Sequence, residues 1–196
     1  MKFKSIPEGC TQEMVDFYWQ RTENHIALVK KYAELIFDFD PAKYRQLGAQ
    51  VSRHDSSKFE ELEYTPYIWI TWRYRCKDTG DKFECPDDME ESMDEATLHH
   101  VLNNRHHPEL HDDSTPQDQM INKEDRDKIS TLVDARAMSD VDIAEMVSDW
   151  CAMSEERHNT PHSWADSVVN KRWKFNDEQK DLIYELMDEI WEDTNE

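Results

Sequence analysis

The sequence predicts an all-α, single-domain helical bundle, and three observations carry that prediction. Only three glycines occur in 196 residues. The longer segments repeat their apolar side chains at helical rather than strand spacing. Helix-start signatures recur along the chain: Thr11 ahead of Glu13, Ser139 with Asp142, and Asn176 with Gln179. The length suits one well-buried core and leaves little room for a second.

Thr11 caps a first helix running to about Phe37, with Tyr18, Thr22, His25, Val29, Tyr32 and Ile36 along one face. His25 therefore points inward. After Asp38-Phe39-Asp40-Pro41 breaks the pattern, a second helix is expected over about Ala42 to Leu62, gathering Leu47, Val51, His54, Asp55, Lys58, Phe59 and Leu62 on one side. Thr65-Pro66 reads as a cap and first turn. The β-prone run Tyr67 to Tyr74 is assigned to helix because its neighbours are helical. Asp78 to Asp88 is a polar surface loop.

A further helix starts near Asp87 with Met89, Met93, Ala96, Thr97, His100 and Val101 in one stripe, and Pro108 disfavours helical geometry at His107. If that helix persists, His100 shares a face with His107, or His99 with His106. His111 to Gln119 is a loop, and Asn122 caps a helix through about Met138. The next helix opens at Ser139 and buries Ile143, Met146, Val147, Trp150 and Met153, with Asp149 between them. Arg157 to His162 is a loop, Trp164 to Trp173 has no clear period, and Leu182, Leu186 and Ile190 stripe the last helix. The site-bearing core is expected over about residues 11–157, with a C-terminal helical extension over about 158–196.

Lys+Arg 23 against Asp+Glu 44 gives a net charge of −21, which opposes nucleic acid and anionic membranes. Stable DNA binding is thus not expected, and an anionic substrate would need a locally positive site. No apolar run reaches a membrane span, and Met1 to Pro7 lacks a signal-peptide core, so the expected location is cytoplasmic. Cys10, Cys76, Cys85 and Cys151 are irregularly spaced and read as reduced thiols; Cys76 and Cys85 lack the second pair that a zinc knuckle needs.

The chemistry-bearing residues are the inward ones. His-Asp at 54–55 offers a divalent metal a nitrogen and an oxygen from adjacent residues, and an Asp on a buried face needs a cation or a cap. His25, His54, Asp55, the cluster of four histidines between His99 and His107, and Asp149 sit on different predicted helices. Such N and O ligands can converge inside a bundle and leave positions open for water or substrate. Which two of His99, His100, His106 and His107 face inward is open at this level.

This set resembles the HD-domain metal-dependent phosphohydrolase superfamily, in which a helix-borne His, a His-Asp dipeptide and a distant Asp recur; the matching residues are His25, His54, Asp55 and Asp149. The blocks His54 to Phe59, His99 to His107 and Glu145 to Trp150 are similar to a phage and bacterial family of unknown function, which places the protein in a host cytoplasm if phage-encoded. The superfamily resemblance implies a bundle of HD type that hydrolyses a small phosphorylated substrate, a nucleotide above all. It implies a divalent metal (Mn, Mg, Co, Ni, Fe or Zn) on those four residues. His100 and His107 would bring a second ion. Lys58 would meet a phosphate oxygen and Glu61 would orient the attacking water, while Arg53, Arg73, Arg105, His99 and His106 would face the substrate. HD nucleotidases place a carboxylate shortly after the dipeptide, where this chain has Lys58, and Asp134 competes with Asp149 as the last ligand. Two other readings stand beside this one: a di-iron oxygenase using the same ligands, and a non-catalytic acidic interaction protein.

Overall fold

The computed structural model describes residues 6–113 and 133–191. It is an all-α bundle with one small strand pair. Helix α1 (Gln12–Phe39) starts at Thr11, whose hydroxyl accepts from the Met14 amide at 3.2 Å, and ends at Asp40. Its buried face is the expected stripe, Tyr18, Thr22, His25, Val29, Tyr32 and Ile36.

The expected helix over 42–62 is replaced by a short α2 (Leu47–Val51), a turn, and a 3-10 turn over Ser56–Phe59. Asp55 lies in the left-handed region at φ 58°, which Asp tolerates better than most residues. Helix α3 (Glu61–Thr79) starts earlier than Thr65-Pro66 predicts. Pro66 forfeits only the bond to the Leu62 carbonyl, and Leu62 is exposed, so water can take that bond. The β-prone run 67–74 is helical within α3, which ends at Gly80 in the left-handed conformation.

Helix α4 (Met89–Asn103) stops before the second His-His pair; Asn104 is its extended C-cap, and a 3-10 turn follows over Pro108–His111. Of the helix expected from Asn122, residues 122–132 lie outside the described residues. Its end is not helical: Val133–Asp134 forms β1, paired in parallel with β2 (Trp173–Lys174). Helix α5 (Asp140–Arg157) carries the expected capping box of Ser139 and Asp142. A short α6 (Pro161–Val168) lies where no period was readable, and α7 (Asp177–Ile190) opens on the Asn176–Gln179 capping box.

Two apolar clusters result. The larger joins the second half of α1 to α2, α5, α6 and α7. The smaller joins the first half of α1 to α3 and α4 through Met14, Val15, Tyr18, Tyr64, Ile68, Trp69 and Met93. Residues 161–190 belong to the larger cluster through Ala165, Val168, Trp173 and Leu186. Along α1, Thr22 and His25 fall between the residues serving the two clusters, so the buried polar site sits at their seam. Among the described residues, no helix is long and apolar enough to cross a membrane.

The last capping box gives a direct stability test. Asn176→Ala removes the acceptor of the Gln179 amide, held at 2.8 Å, and should cost about 1 kcal/mol, read as a lowered urea midpoint with unchanged slope.

Candidate metal centre

Successive residues on an α-helix point about 100° apart, so a regular helix would set the His54 and Asp55 side chains off in diverging directions. The left-handed turn at Asp55 removes that constraint, and His54 and Asp55 are 3% and 1% exposed. Around them α1 supplies His25, α5 supplies Asp149 and Glu145, α4 supplies His100, and the segment after α4 supplies His106 and His107.

Asp55 divides this set in two. On its Oδ2 side lie His25 Nε2 and His54 Nε2, each 3.8 Å away, with Asp149 Oδ1 2.9 Å from His25 Nε2 and 3.7 Å from His54 Nε2. On its Oδ1 side lie His100 Nε2 at 3.2 Å and His106 Nε2 at 3.8 Å. His107 joins the second group, its ring centroid 4.8 Å from that of His100 and 4.1 Å from that of His106. Ligand atoms lie within 4.8 Å of one another in three sets: His25, His54 and Asp55; His100, His106 and His107; and His54, His106 and Glu145.

The far nitrogens of the imidazoles are held by carboxylates. Glu145 Oε1 accepts from His54 Nδ1 at 2.9 Å and lies 3.6 Å from His106 Nδ1. Glu63, fully buried in α3, takes His100 Nδ1 at 3.0 Å and His99 Nδ1 at 2.6 Å. A carboxylate on Nδ1 fixes the tautomer that leaves the Nε2 lone pair free for a cation. Several buried atoms have no hydrogen-bond partner, among them His54 Nε2, Asp55 Oδ1 and His107 Nε2. Buried polar atoms in a purely structural cluster are ordinarily paired. These buried His, Asp and Glu groups are therefore suited to hold a metal ion, and their donor atoms fit a divalent cation of the imidazole-binding kind.

The electrostatics of the carboxylates favour a cation. Burial pushes Asp55 up, but Lys58 Nζ at 2.6 Å, together with His54 and His100, holds its carboxyl well below the usual range. Burial also opposes the charge on Asp149, and the hydrogen bond to His25 more than reverses it, leaving that carboxyl low. Glu145 is brought down to about 2 against its burial by His106 and His54. Burial pulls His25 down, yet its bonds to Asp149 and Glu156 raise it to about 9. Burial, then His106 beside it, holds His107 well below the ordinary histidine value. The carboxylates are thus charged at neutral pH, as carboxylate ligands must be, whereas His25 carries a proton that a cation would have to displace.

The centre opens into a cleft of about 350 Å³. His25, Asp55, Lys58, His100, His106, His107 and Asp149 line it. His106 stands among the potential ligands rather than toward a substrate, and His99 is turned onto Glu63 outside the cleft. Glu61 is exposed in the first turn of α3, two residues before the inward-facing Glu63. Arg53 is exposed on the turn before His54. Arg73 pairs with Glu90 on the surface, and Arg105 grips Asp142 through Nε at 2.7 Å and Nη2 at 2.8 Å. Asp134, in β1, binds Arg136 and belongs to none of the groups of potential ligands. The cations that do line the cleft are Lys58, Arg21, Arg157 and Arg172, from four separate stretches of chain.

Glu63 and Glu145 are the functional candidates that sequence reasoning missed. Glu145 lies four residues before Asp149 on one helix, a spacing that puts both on one face. Nothing local marks Glu63. No curated protein and no solved structure matches the chain. A family described as "Family of unknown function (DUF5662)" matches residues 14–189, almost the full length, and the chain belongs to that family.

Proposed function

We propose that this protein is a metal-dependent phosphohydrolase acting on a nucleotide or a similar small phosphoester, with a two-cation centre. His25, His54, Asp55 and Asp149 would hold one divalent ion, and His100, His106 and Asp55 the other, with His107 adjoining. The observation that carries this reading is the placement of Asp55, whose two oxygens face two separate histidine groups. Cations held there would supply Lewis-acid polarisation of a phosphoryl oxygen and would lower the pKa of a water beside them.

The chain's own groups do the rest. Lys58 stands at the mouth of the centre, its ammonium 2.6 Å from Asp55 Oδ2 and 5.2 Å from the Tyr67 ring, within reach of a phosphate oxygen. Arg21, Arg157 and Arg172 put positive groups on the cleft wall of a chain of net charge −21; Arg21 pairs with Glu156 and Arg172 with Glu109, so Arg157 and Lys58 are the groups left to meet an anionic substrate. Glu63 and Glu145 keep the imidazoles oriented.

The purified protein should release phosphate from at least one member of a nucleotide panel with Mn, Co, Ni or Mg, and His54→Ala should bring release to background. Undiminished turnover in both His54→Ala and Asp55→Ala would overturn the proposal. A second reading, a di-iron oxygenase, rests on the same two facing groups of imidazoles and carboxylates, a donor set that admits iron among other divalent ions. It requires two irons per chain and oxygen-dependent turnover, so elemental analysis with an oxygen electrode separates the two.

A further inference from the structure

One wall of the cleft is not used by metal or phosphate chemistry. Glu109, on the 3-10 turn just after the histidine run, lines the cleft and is 2% exposed. Its Oε1 accepts from Trp173 Nε1 at 3.1 Å and lies 3.4 Å from Arg172 Nη2. Its Oε2 is buried and has no hydrogen-bond partner among the described residues. Leaving such an oxygen bare is costly, more so if it is charged, unless something outside the chain donates to it.

The same wall is aromatic. Trp173 stacks on Trp150, centroids 5.9 Å apart at 15°, and meets Trp164 edge-on at 6.2 Å. All three line the cleft; Trp150 and Trp173 are buried, while Trp164 is 39% exposed. Two buried indoles therefore brace a third that keeps much of its surface in water. An indole held in that way offers a stacking surface to a planar ligand such as a nucleobase.

We propose that Glu109, Trp164 and Trp173 form a nucleobase subsite: the base lies against Trp164, and an exocyclic amino group on its edge donates to Glu109 Oε2. The inference rests on the nucleotide reading above and narrows it. A bare carboxylate oxygen accepts an amine and repels a carbonyl, so cytosine and adenine fit where uracil does not. Trp173 donates to Oε1 and fixes which carboxylate oxygen is free. The subsite adjoins the metal centre through the chain itself, since Trp150 follows Asp149 and Glu109 follows His107 by two residues.

Nucleosides, which carry no phosphate, test the subsite apart from hydrolysis. Titrating the full-length protein with cytidine, uridine, adenosine and purine riboside should quench tryptophan fluorescence. Cytidine should bind about tenfold tighter than uridine, and adenosine about tenfold tighter than purine riboside, which lacks the amine. Trp164→Ala, at a half-buried position, should weaken both preferred nucleosides about tenfold. In Glu109→Gln the amide oxygen keeps Trp173, and its NH2 replaces the free acceptor, so the cytidine preference should vanish or invert toward uridine. Equal affinity for cytidine and uridine in the wild type, or a preference unchanged in Glu109→Gln, overturns the subsite. Selective nucleoside binding without phosphate release would leave the subsite standing and remove the phosphohydrolase reading. Phosphate release that is as fast from ribose 5-phosphate as from nucleotides would do the reverse.

Discussion

Asp55→Ala should empty the whole metal centre, whereas His25→Ala and His100→Ala should each remove one ion. The wild-type chain, loaded with Mn or Co and freed of excess, is expected to carry two equivalents by elemental analysis. Asp55 faces both histidine groups through the nitrogens turned toward the centre, His25 and His54 across Oδ2, His100 and His106 across Oδ1. Its loss also unpairs Lys58, whose ammonium would then add repulsion where a cation should sit. Phosphate release should fall by at least about a thousandfold, since both the nucleophile and the charge stabilisation depend on the ions. The two histidine variants should differ from each other: calorimetric titration of His25→Ala should retain the site on His100, and His100→Ala the site on His25. If both variants lose the same single equivalent, there is one ion and Asp55 does not bridge.

The parts of this centre that were legible in the sequence are those fixed by one long helix or by a dipeptide. His25 could be placed because α1 keeps one apolar stripe through 28 residues, so its inward face has no competitor. His54 and Asp55 were readable as a pair but not as a turn. The left-handed backbone at Asp55 is what lets both side chains face inward, and apolar spacing is blind to it. The cations show the opposite limit. Arg53 and Arg105 adjoin site histidines in sequence yet point elsewhere, and Arg73 is on the surface with Glu90. Arg21, Arg157 and Arg172 reach the cleft from α1, the end of α5 and the approach to β2, an arrangement that only long-range packing creates. The same holds for two of the three indoles of the aromatic wall: Trp150 lies on the legible stripe of α5, but Trp164 and Trp173 lie in α6 and β2, which showed no readable period.

Asp142→Asn should destabilise the fold by about 2–3 kcal/mol and disturb the centre at a distance. Asp142 is 1% exposed and accepts from five donors: Arg105 Nε and Nη2, Gln50 Nε2 at 2.9 Å, and the amide and hydroxyl of Ser139 at 3.1 and 2.7 Å. An asparagine must turn an NH2 toward the two donors at Oδ1 or the three at Oδ2, so it loses at least two of these bonds and gains a clash of like dipoles. Each hydrogen bond to a charged group is worth about 1.5–3 kcal/mol, and Arg105, half exposed, recovers part of its loss in water. Burial pushes the Asp142 carboxyl up, but Arg105 and Ser139 hold it below the ordinary value. A depressed folded-state pKa contributes stability that is present above about pH 4 and is lost as the pH falls through the folded value. The gap between wild type and Asp142→Asn in urea midpoint should therefore be widest near neutrality and close as the pH drops below about 4; a gap independent of pH would mean that the charge is not what stabilises. The same residue reaches the metal centre by two routes. Gln50 bonds both Asp142 and Glu145 Oε2, the latter at 2.7 Å, and Arg105 directly precedes His106. Loosening Asp142 thus frees the carboxylate that orients His54 and the backbone that carries His106, and metal affinity should weaken by about 10- to 100-fold, as for other losses of groups that orient metal ligands.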